Sequence, residues 1–147
     1  MNNLGGYYSI KLIFTDEITG WTGNETEVSY QSSGESSVML PFRPENLQLV
    51  VQPAIDEQGI VYECQAEISL RANSLTDSMI DKLTQVTHRG CILHTVTHND
   101  LPRIFGDINY PLTGTFVEEH GSKTSDLHSY VLKLSNSSLY HARKLRL

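Results

Sequence analysis

The residues with the most obvious capacity for chemistry are six histidines, of which His94 and His98 are spaced four positions apart. On a helix this spacing would place both imidazoles on one face, as a zinc site requires. The surrounding run, CILHTVTH, is rich in Thr, Val and Ile and therefore favours a strand, in which four residues span about 13 Å. One metal ion cannot bridge that distance, so we expect no metal site. The other histidines are scattered without ligand spacing: His88, His120, His128 and His141.

Carboxylates and serines are present, but not at the spacings that catalysis uses. Glu63 and Glu67 share one face of a predicted strand, which is an ordinary position for solvated acids. The chain contains no Gly-x-Ser-x-Gly elbow. It also lacks the two glycine-rich phosphate-binding patterns, GxxxxGK[ST] and GxGxxG. We therefore expect no enzymatic activity, no cofactor and no small-molecule substrate.

The segment 98–116, HNDLPRIFGDINYPLTGTF, places a glycine-containing turn between two short apolar runs. A catalytic loop is one interpretation, but the residue types suit backbone geometry better. Pro102 fits the start of an edge segment, and Gly106 can adopt a positive φ that would strain other residues. We predict a compact β-hairpin in which residues 103–105 form one strand and the chain restarts at Pro111.

The elements that carry these residues are predicted to be mostly strands. Alternating or β-branched runs occur at residues 7–14, 47–52, 60–70, 91–98, 112–117 and 129–135. The clearest alternation is in 60–70, where Ile60, Cys64 and Leu70 share the apolar face and Gln65 and Glu67 the polar one.

One amphipathic helix is predicted at about residues 75–88, because apolar residues repeat there along one face. They are Leu75, Met79, Ile80, Leu83 and Val86. Ser74 or Thr76 can cap its start, and Gly90 suits its end. Strands, one helix and further strands predict an α+β, mainly antiparallel β fold, arranged as a sandwich or a partial barrel.

Length and charge narrow the class of protein. The 147 residues fit a single β-rich domain, and the net charge of −6 argues against sequence-specific binding to nucleic acid. No apolar run reaches the length of a membrane helix, and the N-terminus lacks the features of a signal peptide, which predicts synthesis in the cytosol. Cys64 and Cys91, in strand-like runs, are expected to be buried free thiols.

Two polar segments are candidates for contacts with neighbouring subunits. Residues 15–37 form a predicted long acidic loop, with a short strand possible at 27–30, and residues 136–147 form a predicted basic C-terminal arm. Because residues 1–70 hold ten acids and two bases, and residues 71–147 seven acids and nine bases, opposite charges can meet between copies. The predicted interface residues are Asp16, Glu17, Trp21, Glu25, Glu27, Tyr140, Arg143, Lys144, Leu145 and Arg146.

Three short motifs also carry a resemblance to a known class of proteins. They are Ile104-Phe105-Gly106, Tyr110-Pro111-Leu112 and residues 130–135, and the start Met1–Leu4 leading to Ile10–Leu12 is similar too. With them, about half of the chain resembles small β-rich virion structural proteins of tailed phages and prophages of gut Bacteroidetes. The resemblance implies a tail, tail-tip or head–tail connector subunit made in the host cytoplasm, with copies of itself and other virion proteins as partners.

Two other classes of function stay open at this point. A carbohydrate-binding β module would need an aromatic stacking surface, for which the candidates are Trp21 and the tyrosines Tyr7, Tyr8, Tyr30, Tyr110, Tyr130 and Tyr140. A hydrolase with an unrecognised site is the second alternative.

Overall fold

A computed structural model describes residues 7–24, 27–33, 37–41, 47–56, 59–97, 102–119, 129–138 and 143–145 as two β-sheets and one α-helix. The elements are β1 (Tyr7–Phe14), β2 (Ile18–Gly23), β3 (Glu27–Ser32), β4 (Val38–Met39), β5 (Leu47–Asp56), β6 (Gly59–Arg71), α1 (Asp77–Thr84), β7 (Cys91–Thr97), β8 (Pro102–Phe105), β9 (Thr113–Glu119), β10 (Ser129–Ser138) and β11 (Arg143–Leu145). Sheet A has the order β2-β3-β11-β8-β7-β1-β4, and sheet B the order β5-β6-β10-β9. All neighbours are antiparallel except β3 and β11. The predicted α+β, mainly antiparallel fold is confirmed.

The main core lies between the two sheets, which makes the arrangement a sandwich; the described strands do not close into a barrel. Each strand contributes alternate side chains, because successive residues point to opposite faces. The fully buried residues of this main core include Ile10, Leu12 and Phe14 of sheet A, Ile68, Leu70 and Leu132 of sheet B, and Leu83 and Val86 of the helical segment.

The helix is confirmed in the predicted region but is shorter than expected. Thr76 caps its start, since the Thr76 side chain accepts a hydrogen bond from the Met79 backbone N–H at 3.2 Å. After Thr84 the chain tightens into a 3-10 turn at Gln85–Thr87, which still buries Val86. In the described part of the chain, no helix is long and apolar enough to cross a bilayer.

The segment 15–37 is not a long loop, so that prediction is wrong. Within it β2 and β3 form an antiparallel hairpin, in which Trp21 and Tyr30 are direct cross-strand partners. Asn24 stabilises the turn, because its Oδ1 accepts a hydrogen bond from the Glu27 N–H at 3.0 Å. Favourable cross-strand pairing of β-branched and aromatic residues outweighs the polar and acidic character of the segment.

Segment 98–116 does not form the predicted hairpin, although its strands are present. β8 pairs with β7 and β11 in sheet A, whereas β9 pairs with β10 in sheet B. The intervening residues therefore carry the chain from one sheet to the other. A hairpin and a crossing both need a turn, and the residues between two strands do not specify which strands will pair.

In the described strand order, β4 lies at one edge of sheet A and β5 at one edge of sheet B, so the chain passes from one sheet to the other between these two strands. Pro53 lies in β5, where an edge position tolerates the missing N–H.

Candidate functional site

The corner between the sheets is built around Gly106. Gly106 has φ = +97°, which confirms the expected positive value. Asp107 and Tyr110 then exchange backbone hydrogen bonds of 3.2 Å, and the Asp107 carboxylate accepts one from the Asn109 N–H. Leu112 pairs with Cys91 in an isolated bridge that leads the chain into β9. These contacts fix the path of the chain from sheet A to sheet B.

Two of the predicted interface acids are engaged within the chain. Both oxygens of the Asp16 carboxylate accept hydrogen bonds from the Arg89 guanidinium, the Nε–Oδ2 distance being 2.8 Å. Glu17 accepts a further one at 3.0 Å, and the guanidinium carbon lies 3.9 Å from the centre of the Phe14 ring. These carboxylates raise the pKa of Arg89 above its ordinary value. The cluster fastens the start of β2 to the end of the helical segment.

The predicted C-terminal arm is not a free arm in its described part. β10 continues to Ser138, and β11 lies inside sheet A, between β3 and β8. The backbone of Arg143, Lys144 and Leu145 thus pairs within its own chain, and the premise that a neighbouring subunit orders this segment is wrong. A basic segment with interspersed apolar residues is compatible with a free arm or with a strand of the sheet, because strand pairing depends on backbone groups.

The other predicted interface residues lie in the β2–β3 hairpin, where Glu27 pairs with Lys144 of β11, or fall outside the described residues. Trp21 packs against Tyr30, with ring centroids 6.2 Å apart, and Glu27 is the first residue of β3. Glu25, Tyr140 and Arg146 fall outside the described residues. Contact of any of these residues with another subunit stays a prediction.

His94 hydrogen-bonds to a tyrosine. The Tyr30 hydroxyl oxygen and His94 Nδ1 are hydrogen-bonded at 3.0 Å, and their rings meet edge to face. This contact shows that sheet A is strongly curled, since β11 and β8 lie between β3 and β7 in strand order. A small second core of Ile13, Ile92 and Ile104 fills the concave side of that curl.

Burial shifts the pKa values of His94 and Tyr30. Desolvation, followed by the positive charge of Lys11, lowers the pKa of His94, and burial raises the pKa of Tyr30 to about 12. Both groups are therefore neutral near pH 7. Among the described residues, no group of three or more His, Cys, Asp or Glu side chains is placed to hold a metal ion; His98 and the histidines at 120, 128 and 141 lie outside them.

Both cysteines are free and buried, which confirms the prediction. Burial raises the pKa of the Cys64 thiol to about 11 and that of Cys91 to about 12. A nucleophilic cysteine needs a lowered pKa, so these thiols have the properties of core residues.

Among the described residues, the candidate aromatic side chains do not assemble into one stacking surface. Trp21 and Tyr30 lie in the curl of sheet A, Tyr110 lies at the corner between the sheets, and Tyr130 is buried against Phe116 in the main core. Sequence position could not exclude such a surface, because strand order decides which aromatics become neighbours. The side chains of Tyr7, Tyr8 and Tyr140 are outside the description.

Among the described residues, the two most exposed large apolar side chains belong to one hairpin that the sequence pattern did not single out. Ile55 of β5 and Ile60 of β6 are direct cross-strand partners and are 86% and 59% exposed. The described pairing of β10 with β6 ends at Tyr62, so the described part of the hairpin tip, residues 54–56 and 59–61, extends beyond the described part of β10. Ile60 was expected on the buried face, and it does continue that face, but past the edge of the core.

Comparison with known proteins identified no relative, so the functional argument depends on the geometry described above. No family model matches the chain, and no curated protein or solved structure matches it either.

Proposed function

We propose that this protein is a structural subunit of a tailed-phage virion, which assembles with copies of itself into a ring or tube in the tail, tail tip or head–tail connector. The short motifs at 104–106, 110–112 and 130–135 support the class of protein. The hairpin tip, described at residues 54–56 and 59–61, supports the mode of action and is the observation on which the proposal depends.

The hairpin tip has the properties of an assembly contact. Its two isoleucines face the same way, on an extension of the inner face of sheet B that the core does not cover. Full burial of an isoleucine side chain contributes about 1.5–3 kcal/mol, so covering both would stabilise an association appreciably. A projecting two-stranded ribbon is also only marginally stable by itself, and a neighbour that covers it would hold its conformation.

A projecting tip favours a heterologous contact, in which it reaches a different patch on the next copy. Contacts of this kind generate closed rings or open helical tubes, whereas isologous contacts generate dimers. Because the contact is apolar, association should depend little on ionic strength, in contrast to pairing of an acidic loop with a basic arm.

Light scattering coupled to size-exclusion chromatography, over a wide range of protein concentration, tests the proposal. The natural chain should form species larger than a dimer, visible as rings or tubes in negatively stained micrographs. The double variant Ile55→Thr/Ile60→Thr should assemble only at concentrations at least about tenfold higher, because it removes apolar area from the contact.

Val117→Thr is the matched control, since Val117 is an exposed apolar strand residue of the same sheet, on β9. This variant should assemble like the natural chain. A natural chain that stays monomeric at every concentration would refute the proposal. Assembly that the double variant does not weaken would refute the assignment of the contact to the hairpin tip.

A further inference from the structure

A polar groove crosses the outer face of sheet B, opposite the core. It has a volume of about 490 Å³ and is formed by all four strands of that sheet. Small-molecule sites in proteins commonly have volumes of about 300–1,000 Å³, so the groove is large enough for a ligand of several rings.

The groove presents hydrogen-bonding groups in rows across the sheet. One row is Gln48, Glu67, Lys133 and Thr115, which are successive cross-strand partners from β5 to β9. The next row contains Gln65 and Ser135, and Gln52 lies two positions further along β5 than Val50, the partner of Gln65. Neighbouring strands are about 4.8 Å apart, so the polar groups form a regular grid.

These side chains have hydrogen-bonding capacity that the described part of the chain does not use. Gln48, Gln52 and Gln65 are exposed, and their amides make no hydrogen bond to another described residue. Glu67 and Lys133 are cross-strand neighbours, yet in the described residues they do not form an ion pair. Each amide offers both donors and an acceptor, and Ser135 and Thr115 add hydroxyl groups with the same double capacity.

The composition of the groove selects against several classes of ligand. One Lys and one Glu cancel in charge, so a nucleic acid or another polyanion would find no basic track. Val50 is the exposed apolar lining residue on the outer face, which is too little for a lipid or a steroid. An extended peptide is usually held along a strand edge by its backbone, whereas this groove lies across the face of the sheet.

We infer that the groove binds a short neutral oligosaccharide. Sugar hydroxyls donate and accept hydrogen bonds, as the amide and hydroxyl groups of the groove do, and adjacent hydroxyls can bind one glutamine amide through both its oxygen and its nitrogen. The site differs from an aromatic stacking surface, since it recognises the edges of the sugar and not its apolar face. This assignment does not depend on the proposed assembly.

The side-chain amide NH₂ resonances of glutamine provide a direct readout in ¹H–¹⁵N spectra of the full chain. The probes are neutral hexasaccharides of glucose, mannose, xylose and N-acetylglucosamine, with a sulfated oligosaccharide and a single-stranded oligonucleotide as the acidic arm. At least one neutral probe should shift the resonances of Gln48, Gln52 and Gln65 at millimolar concentration. Gln31 is an exposed glutamine on β3 of the other sheet, and its resonance should not move.

Substitution then tests whether the groove carries the binding. The double variant Gln48→Ala/Gln65→Ala should weaken binding of the neutral probe by ~10-fold, since it removes hydrogen bonds to a neutral ligand. Gln31→Ala should bind like the natural chain, and an unchanged urea midpoint for both variants shows that the fold is retained.

Three results would overturn the inference. One is that no neutral probe shifts the groove resonances. Another is that a binding probe shifts resonances on a different surface, such as that of Trp21. The last is that the acidic probes bind the groove more tightly than every neutral one.

Discussion

Replacement of Gly106 by alanine tests whether the corner between the sheets depends on glycine. At φ = +97° a side chain is strained, and strain of this kind costs about 1–3 kcal/mol. The new Cβ would also lie 3.2 Å from Leu112 Cγ and 3.3 Å from both Cys91 O and Ile92 Cγ2, so the core must shift by tenths of an ångström. Alanine also lowers the conformational entropy of the unfolded chain, which offsets about 0.4–1 kcal/mol of this loss of stability. Overpacking by the new Cβ adds about 1–3 kcal/mol, so we expect a net loss of roughly 2–3 kcal/mol.

Gly59→Ala is the matched control, because Gly59 also has a positive φ, +122°, but apart from its chain neighbours no atom of the described residues lies within 4 Å of the Cβ it would gain. This variant should lose only about 1 kcal/mol, from backbone strain alone. Urea unfolding followed by the fluorescence of Trp21 measures both losses, and the melting temperature of the Gly106 variant should fall by about 5–10 °C. A Gly106→Ala midpoint equal to that of the natural chain, or no lower than that of Gly59→Ala, would refute the reasoning.

Three further predictions address the cluster of Arg89 with Asp16 and Glu17, the half-buried His94 and strand β11. Arg89→Met should lower the free energy of unfolding by about 1–2 kcal/mol, because it removes charged hydrogen bonds and the cation–π contact, whereas Arg71→Met should have little effect in the same urea titration. The pKa of His94 is lower in the folded protein than its unfolded value near 6.5. Its contribution to stability is therefore complete above pH 6.5 and is lost as the pH falls through the lower, folded pKa. His94→Gln should therefore flatten the dependence of the urea midpoint on pH between 7.5 and 5. Deletion of residues 143–147 should separate β3 from β8 and expose amide protons of the β2–β3 hairpin to hydrogen exchange, and unchanged protection there would contradict the position of β11.

Local patterns predicted much of the fold because they depend on forces between near neighbours. Alternation in 60–70 identified β6 and its polar face, and the stripe from Leu75 to Val86 identified the helix. The positive φ of Gly106 followed from its place in a turn between two apolar runs. In each case the periodicity of the backbone, or its steric limits, connects residue types directly to local structure.

Pairing between distant segments could not be predicted in the same way. The sequence placed strands on either side of Gly106 but did not show that they join different sheets, and it did not show that 143–145 would lie between β3 and β8. Strand pairing uses backbone groups that every residue shares, so its specificity comes from the burial of side chains by the whole fold.

The candidate sites show the same division. Residue types alone predicted three features: no catalytic spacing, buried thiols and a mainly β fold. Each of these depends on side-chain chemistry or on short-range periodicity. Only the tertiary structure decided that Asp16 would bind Arg89, that Ile55 and Ile60 would extend beyond the core, and that Gln48 and Gln65 would line one groove. Exposure and proximity are properties of the packed sheets, since the same apolar alternation is buried where a second sheet covers it and exposed where the hairpin extends past it.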